Sequence, residues 1–473
     1  MAYLGELAKN RGIQSLTSDP AIKEVLKEIE FISSVSEYKR IDQYIVNNFT
    51  KAKDSKLENI FVIDGSKYDS KLGENNEINV ALISIDQCVI NMPKMVAYLK
   101  NSFALPKDYQ AMKEDISINM ILPLKGLKTR EIADEKDFFR MFFYKVMQAE
   151  NKIFEWIKDR LPAASYHESL LDTYLNLLTP IKKLNANIPV PCPYCRKAGH
   201  MLSLKTFKNI DGSWNPITQC KCDTNPVNYY ITDLLQFTEL LNNENSNEAL
   251  TTQMMLVLER ITLVNLLNNL VGNNAKEILE NSAFVMDGSL AIYSHASWLS
   301  SAIGERIYDL KNDYQLLICG VEKTGNFVEH FKKVDHYYQD QPLAKGTLYF
   351  LEDDYIKKYI KVYHNDSFYG EKNYFGKKLF YKNRLNKLFV INLAFENEAD
   401  KYLDYNNRNG DQQRQLCQRM EDLIMLLENF SSQAYPNALS FISMANEGAS
   451  LSSSSMGKKI LNEFIDGLLL LKK

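Results

Sequence analysis

Two apolar runs far apart in the chain stop at the same tripeptide, and this repetition constrains the fold more than any other feature. Ile60-Phe61-Val62-Ile63 ends at Asp64-Gly65-Ser66, and Ala283-Phe284-Val285-Met286 ends at Asp287-Gly288-Ser289. Short apolar runs bounded by turn residues indicate buried strands. In open α/β sheets, ligands gather beyond the carboxyl ends of such strands. An Asp there has its side chain held by the sheet, and a following Gly leaves room for close backbone approach. A single Asp-Gly is a turn signal. Two copies, each after a buried run, point to one shared site.

Other segments fill in an α/β pattern. Ile78 to Ile85 is a second apolar run after Asp64, which predicts a neighbouring strand joined by a long hairpin loop. Strands are also predicted at Leu316 to Val321, Leu348 to Leu351, Leu379 to Tyr381 and Leu388 to Leu393. Helical periodicity marks residues 95–180 and 227–270, and then Arg414 to Phe430, Asn437 to Ala449 and Gly457 to Leu471. Near the N-terminus Ile22, Val25, Leu26, Ile29 and Ile32 recur at helical spacing. With 473 residues the chain exceeds one ordinary compact domain. The expected division is an N-terminal helical arm at 1–58, a core from 59–94 and 250–473, and an inserted helical region at 95–249. That insertion carries a small cysteine-containing module at 188–225.

Charge and cysteine usage narrow the setting. The formal net charge of −3 does not suit a uniformly basic nucleic-acid module, so any positive surface must be local. The first sixteen residues lack the apolar segment of a secretory signal. No apolar stretch approaches the ~18 residues that suggest a spanning helix. Seven cysteines in a long chain do not form the pattern of a disulfide scaffold. The expected location is cytoplasmic, with no membrane partner.

A third acid belongs with the two aspartates. Glu259 lies in a helix-like segment with Met255, Leu263 and Leu266 on its face. A carboxylate on an apolar face must be paired, protonated or metal-bound. Taken alone, Glu259 is explained by a salt bridge to Arg260. If Asp64, Glu259 and Asp287 converge, however, their charges repel and raise one another's pKa values. Divalent cations remove that conflict, and oxygen-rich sites suit Mg²⁺ or Mn²⁺. Two such ions about 4 Å apart can stabilise both the attacking and leaving oxygens of a phosphodiester.

In this order the motifs resemble the NurA family of DNA nucleases. Phe61 to Ser66 matches the strand that opens the family's core. Leu258-Glu259-Arg260 matches a helix carrying a Glu, and Asp287-Gly288-Ser289-Leu290 matches a second Asp-Gly-Ser-Leu. Gly320-Val321-Glu322-Lys323-Thr324 matches a strand that ends near a Lys. Pro436-Asn437-Ala438-Leu439 and Ala445-Asn446 match the C-terminal segment, where the family has Ala-His opening a helix. The resemblance covers about residues 58–90 and 250–455 and leaves out the middle.

The resemblance implies a ribonuclease H-like mixed-sheet core, a homodimer, a manganese preference, and action on DNA ends or single strands. It also implies a HerA-type hexameric ATPase that pumps DNA into the nuclease, in repair or in phage defence. It gives metal-binding roles to Asp64, Glu259 and Asp287, and catalytic roles to those three with Lys323 and Asn446. Asn446 stands where the family has His. An amide can offer an oxygen to a metal, but it cannot shuttle a proton. Glu447, His295 and His330 are the candidate substitutes. The separation of Glu259 from Asp287 is also longer than the family pattern.

Four of the seven cysteines cluster. Cys192 and Cys195 form a Cys-x-x-Cys pair, followed by Cys220 and Cys222. Two closely spaced pairs fit a four-thiolate zinc site of zinc-ribbon type, with His200 as an alternative ligand. All four positions would be filled, so the Zn²⁺ is structural.

The strongest local positive stretch holds Lys372, Lys377, Lys378, Lys382 and Arg384 among Tyr374, Phe375, Phe380 and Tyr381. This composition suits a hairpin that tracks DNA phosphates and stacks bases. It equally suits an edge hairpin with lysines outward and aromatics in the core. Two other classes compete with a nuclease. An actin-like ATPase also uses paired Asp- and Gly-containing turns, but no Gly-rich adenosine-binding segment is present. A catalytically inactive zinc-containing DNA-binding or scaffold subunit fits the Asn446 departure.

Overall fold

The structure is a computed structural model that describes residues 54–72, 77–99, 111–132, 134–149, 152–179, 190–193, 195, 201–219, 227–242, 246–337, 342–360, 368–397, 400, 419–431 and 439–451, with isolated positions at 19–21, 24, 462, 463, 465 and 467. It divides into two compact units, Met1–Arg40 and Ile41–Lys473. The expected helix carrying Ile22 to Ile32 lies outside the described residues, as does most of the helix expected at Gly457 to Leu471.

The larger unit is mixed α/β. Strands β1 (Asn59–Leu72) and β2 (Ile78–Asn91) pair antiparallel along their whole length, from Asn59 opposite Asn91 to Leu72 opposite Ile78. After helix α1 (Met92–Leu99), β3 (Lys113–Lys125) adds antiparallel to β2. Helices α2 (Glu135–Met147), α3 (Ile153–Arg160) and α4 (Leu170–Leu178) follow. Two small ladders come next, β4 (Val190–Pro191) with β5 (Met201–Leu202) and β6 (Ile217–Gln219) with β7 (Asn228–Tyr230). The long helix α5 (Glu248–Gly272) and the short α6 (Lys276–Glu280) then lead to β8 (Ser282–Asp287), which runs parallel to β1. Helix α7 (Leu299–Tyr314) crosses to β9 (Leu317–Glu322), parallel to β8. After α8 (Asn326–Tyr337), strands β10 (Leu348–Phe350), β11 (Gly376–Lys382) and β12 (Leu388–Ala394) are antiparallel additions. Helices α9 (Met420–Asn429) and α10 (Ser440–Ala449) follow.

The eight-stranded order is β10-β11-β12-β9-β8-β1-β2-β3. An antiparallel trio followed by two strands parallel to the first is the mixed sheet expected of a ribonuclease H-like core. Alternation along each strand splits the interior into two layers. Phe61, Ile63, Ile83, Ile85, Phe284 and Ile318 face α2 to α5 and α7. Ile60, Val62, Cys88, Val285, Cys319 and Ile391 face α9 and α10.

Three expectations need correcting. First, β1 does not stop at Asp64 but continues to Leu72, because β2 offers it an antiparallel partner at every residue. It is the parallel neighbour β8 that leaves here, with Ile63 opposite Met286 as their last pair. Second, residues 95–180 are not helical throughout, since β3 belongs to the main sheet. Ile116, Ile118, Met120, Leu122 and Leu124 alternate with period two, and Pro123 is tolerated because β3 is an edge strand. Third, α5 is apolar and long enough to cross a membrane by composition, yet 83% of its apolar window is buried within the fold. A helix apolar on all sides is a core helix when other elements surround it. Its buried Asn265 is satisfied inside: Nδ2 donates to Thr173 Oγ1 at 2.8 Å and to the Glu168 carbonyl at 2.8 Å.

Candidate active site

The two core layers explain how distant residues meet. Along β1 the residues facing α10 are Ile60, Val62 and then Asp64, and along β8 they are Ala283, Val285 and then Asp287. On β9, Cys319 and Val321 lead in the same alternation to Lys323. Asp64, Asp287 and Lys323 therefore emerge from three neighbouring strands on one face, where the parallel strands end. Lys323 Nζ lies 2.6 Å from Asp287 Oδ2.

Helix α10 covers this point. With its amide oriented to satisfy its neighbours, the Asn446 nitrogen donates to Asp64 Oδ2 at 2.6 Å, Asp287 Oδ2 at 2.9 Å and the Ile442 carbonyl at 3.1 Å. Its oxygen accepts from Lys323 Nζ at 2.6 Å. Ser66 Oγ donates to the Ala449 carbonyl, which ties β1 to the end of the same helix.

Glu259 arrives from the opposite layer. Gly65 points toward α5, and a Cβ there would lie 2.3 Å from Glu259 Oε1. The missing side chain leaves the space that the Glu259 carboxylate occupies, beside the residue that follows Asp64. Gly288, at φ +108°, turns the chain sharply after Asp287 in a conformation that L side chains rarely adopt. Arg260 pairs with Glu259 and donates from Nη2 to the Ser289 carbonyl at 2.8 Å. The salt bridge that would explain Glu259 structurally is thus present, alongside its approach to the acids.

Crowding of carboxylates shows in their proton affinities. Burial, then the charges of Asp287 and Glu259, push the Asp64 carboxyl up to about 8, against the opposing pull of Lys323. Burial pushes Glu259 up to about 7, with Arg260 opposing and Asp287 adding to the rise. Side chains that resist losing protons in this way, clustered and oxygen-bearing, fit a hard divalent cation. Asp64, Glu259 and Asp287 line the same cleft and are the acids that would hold it, although they do not form a group with all ligand atoms within 4.8 Å of one another.

These groups line an open cleft of about 560 Å³, whose lining also carries Tyr293, Phe327, Tyr369, Tyr374, Glu322 and Lys378. Sequence reasoning assigned no role to Glu322, Tyr293 or Tyr369; Tyr374 entered only as one aromatic of the lysine-rich hairpin. Glu322 accepts from Asn392 Nδ2 at 2.7 Å and pairs with Lys378. Its signal was its place beside Lys323 at the end of β9.

The five basic residues expected to track DNA are not all at the surface. Lys378 and Lys382 are 4% and 3% exposed, so they are not outward phosphate contacts. They share a face of β11 with Phe380, and α8 covers that face: Phe331 stacks on Phe380, and Asp335 Oδ1 lies 2.7 Å from Lys382 Nζ. Lys372 and Arg384 are exposed, and Lys377 is half-buried. None of the three candidate proton shuttles lines the cleft. His330 is buried, with Nε2 at 2.9 Å from the Tyr355 hydroxyl. His295 is exposed on a short 3₁₀ turn. Glu447 is exposed on α10, on the side whose charge reaches Lys113.

Among the described residues, the group whose metal-ligating atoms all lie within 4.8 Å of one another is Asp86, Cys88 and Asp115. Asp86 sits opposite Asp64 in the register, accepts from Ser117 Oγ at 2.8 Å, and is pushed up to about 6 by burial. Asp115 is paired with Lys113. Of the clustered cysteines, Cys192 is buried and accepts at Sγ from the Cys195 backbone N–H at 3.4 Å. Cys220, Cys222 and His200 lie outside the described residues.

Fold and site define a class: an α/β protein with a mixed sheet, carrying a carboxylate-lined cleft where its parallel strands end. No family model matches the chain, and no curated protein matches it. Among solved structures it is similar to the NurA nuclease from Sulfolobus solfataricus, at 9% identity over 98% of this chain and 97% of that one, with a TM-score of 0.34. It is also similar to a second NurA structure, at 11% identity over 98% of each chain, with a TM-score of 0.25. Likeness this low leaves function to be read from the site itself.

Proposed function

We propose that the chain is a divalent-metal-dependent DNA nuclease of NurA type. The carrying observation is the meeting of Asp64 and Asp287, joined through Asn446 and Lys323, in a cleft that Glu259 also lines. Mn²⁺ or Mg²⁺ bound by the three acids would stabilise the charge that develops on the attacking and leaving oxygens of a phosphodiester. Lys323 is placed to balance charge beside Asp287 and to meet the scissile phosphate. Asn446 holds both aspartates and the lysine in register. It stands where the resemblance expects a His and lacks the capacity to carry a proton. The exposed Lys372 and Arg384 and the half-buried Lys377 are the remaining candidates for phosphate contacts outside the cleft.

The same reading makes DNA ends or single strands the substrate, a homodimer the working unit, and a HerA-type hexameric ATPase the partner. It places the protein in the cytoplasm, in repair or in antiviral defence. Cys192, Cys195, Cys220 and Cys222 would hold a structural Zn²⁺. The Cys195 amide directed at the Cys192 sulfur supports this, because backbone donors stabilise a thiolate. One zinc ion per purified chain is expected, and its absence would refute the module.

The nuclease reading is tested with end-labelled linear and single-stranded DNA in Mn²⁺ or Mg²⁺, alone and with the ATPase. Wild type should cut, and Asp64→Ala should lose at least about 10³-fold, in line with losing a core electrostatic element. No cutting under any of these conditions leaves the inactive-scaffold reading in its place. Cutting that persists in EDTA refutes the metal mechanism.

A further inference from the structure

We propose that the tyrosine wall of the cleft is a subsite for one unpaired nucleobase next to the scissile phosphate; this rests on the nuclease reading and specifies the substrate at the same site. Tyr293 is 39% exposed, unusual for a ring set among buried neighbours. Its hydroxyl lies 3.4 Å from Ser289 Oγ, two residues beyond Asp287, and the ring lines the same cleft as the acids. Tyr374 forms the floor: its hydroxyl is 2.6 Å from that of Tyr293 and 3.3 Å from that of Tyr369. The Tyr293 and Tyr374 rings meet edge to face, with centroids 5.9 Å apart. Tyr369 is backed by Phe327, with centroids 5.4 Å apart.

The wall is rigid before any ligand arrives. Gln253 Nε2 donates to the Tyr293 carbonyl at 2.5 Å, and the Ile292 N–H donates to the Asn373 carbonyl at 3.0 Å. A preorganised aromatic face loses little freedom when it binds. Every nucleobase has a π-face, so stacking here is strong yet tolerant of sequence. The Glu322–Lys378 pair, with Asn392 behind it, adds polar groups to the same wall for the base edge. A paired base is already stacked on its neighbours and must be extruded to present a face. The subsite therefore favours single strands and frayed ends over intact duplex.

The test uses the full-length protein and a short single-stranded oligonucleotide, scanned with single abasic positions. Removing the base beside the scissile phosphate should raise KM about ten- to hundredfold, whereas removing bases several positions away should leave it within about threefold. Tyr293→Ala should reproduce the KM rise on the intact oligonucleotide, and Tyr293→Phe, which keeps the ring, should not. Equilibrium binding by the Asp64→Ala protein should show the same abasic dependence without cleavage. A flat abasic profile overturns the subsite, as does an equal loss on duplex and single strand. If wild type never cuts but the binding profile peaks at one base, the nuclease reading falls and the subsite stands. If wild type cuts with a flat profile, the reverse holds.

Discussion

Replacing Gly65 with alanine adds one methyl group to β1 and alters no functional atom directly. The added carbon would lie 2.3 Å from Glu259 Oε1 and 2.8 Å from Met255 Cγ, whereas ordinary contact begins near 3.4 Å. The Glu259 carboxylate must therefore retreat by about 1 Å, and a displacement of that size near reacting groups costs roughly 10²-fold in rate. Retreat is not free, because Glu259 is 2% exposed and paired with Arg260. The overpacking should lower stability by about 1–3 kcal/mol without unfolding the protein. The assay is Mn²⁺-dependent cleavage of labelled single-stranded DNA, with a thermal melt of the same sample. Gly65→Ala should melt slightly below wild type, cleave about a hundredfold more slowly, and require more Mn²⁺. Glu259→Gln should lose activity without the overpacking. Full activity of Gly65→Ala at an unchanged Mn²⁺ requirement would show that Glu259 serves only Arg260.

Other expectations follow from the same geometry. Asn446→Ala removes the amide that spans Asp64, Asp287 and Lys323. Cleavage should fall about 10- to 10²-fold with little change in melting, and an unaltered rate would deny Asn446 any positioning role. In metal-free protein the raised folded-state values of Asp64 (about 8) and Glu259 (about 7) mean that the native state holds extra protons above the ordinary carboxylate range. Their contribution to stability is full below about pH 4 and is lost as pH rises to about 8; Mn²⁺ should flatten this fall, and denaturant midpoints with and without Mn²⁺ read it directly. His330 has the opposite sign. Burial holds its imidazole down at about 4, so its contribution is present above about pH 6.5 and is lost as pH falls through 4, by up to about 3 kcal/mol. His330→Phe, which can still stack on Phe380, should narrow the difference between urea midpoints at pH 4.5 and pH 7; an unchanged difference would place the acid sensitivity elsewhere.

Legibility varied by element for identifiable reasons. Asp64 and Asp287 were visible because each follows a run of buried strand residues and precedes a glycine, a purely local pattern. The strands β8, β9, β11 and β12 were visible for the same reason. β3 was hidden, since its alternation is flanked by charges and interrupted by Pro123, which local rules count against a strand. The burial of Lys378 and Lys382 was also hidden: alternation places them on one face of β11 but does not say that α8 covers that face with Phe331 and Asp335, or that Glu322 at the end of β9 pairs with Lys378.

By itself, the order of residues determined where buried strands run and which acids stand beside their glycine turns, because those properties depend on neighbours in the chain. Only the tertiary structure decided that Glu259 occupies the space beside Gly65 and that Asn446 spans both aspartates. Those relations join segments hundreds of residues apart. They depend on the packing of two helical layers against one sheet, and distance in space between such segments leaves no mark on sequence spacing.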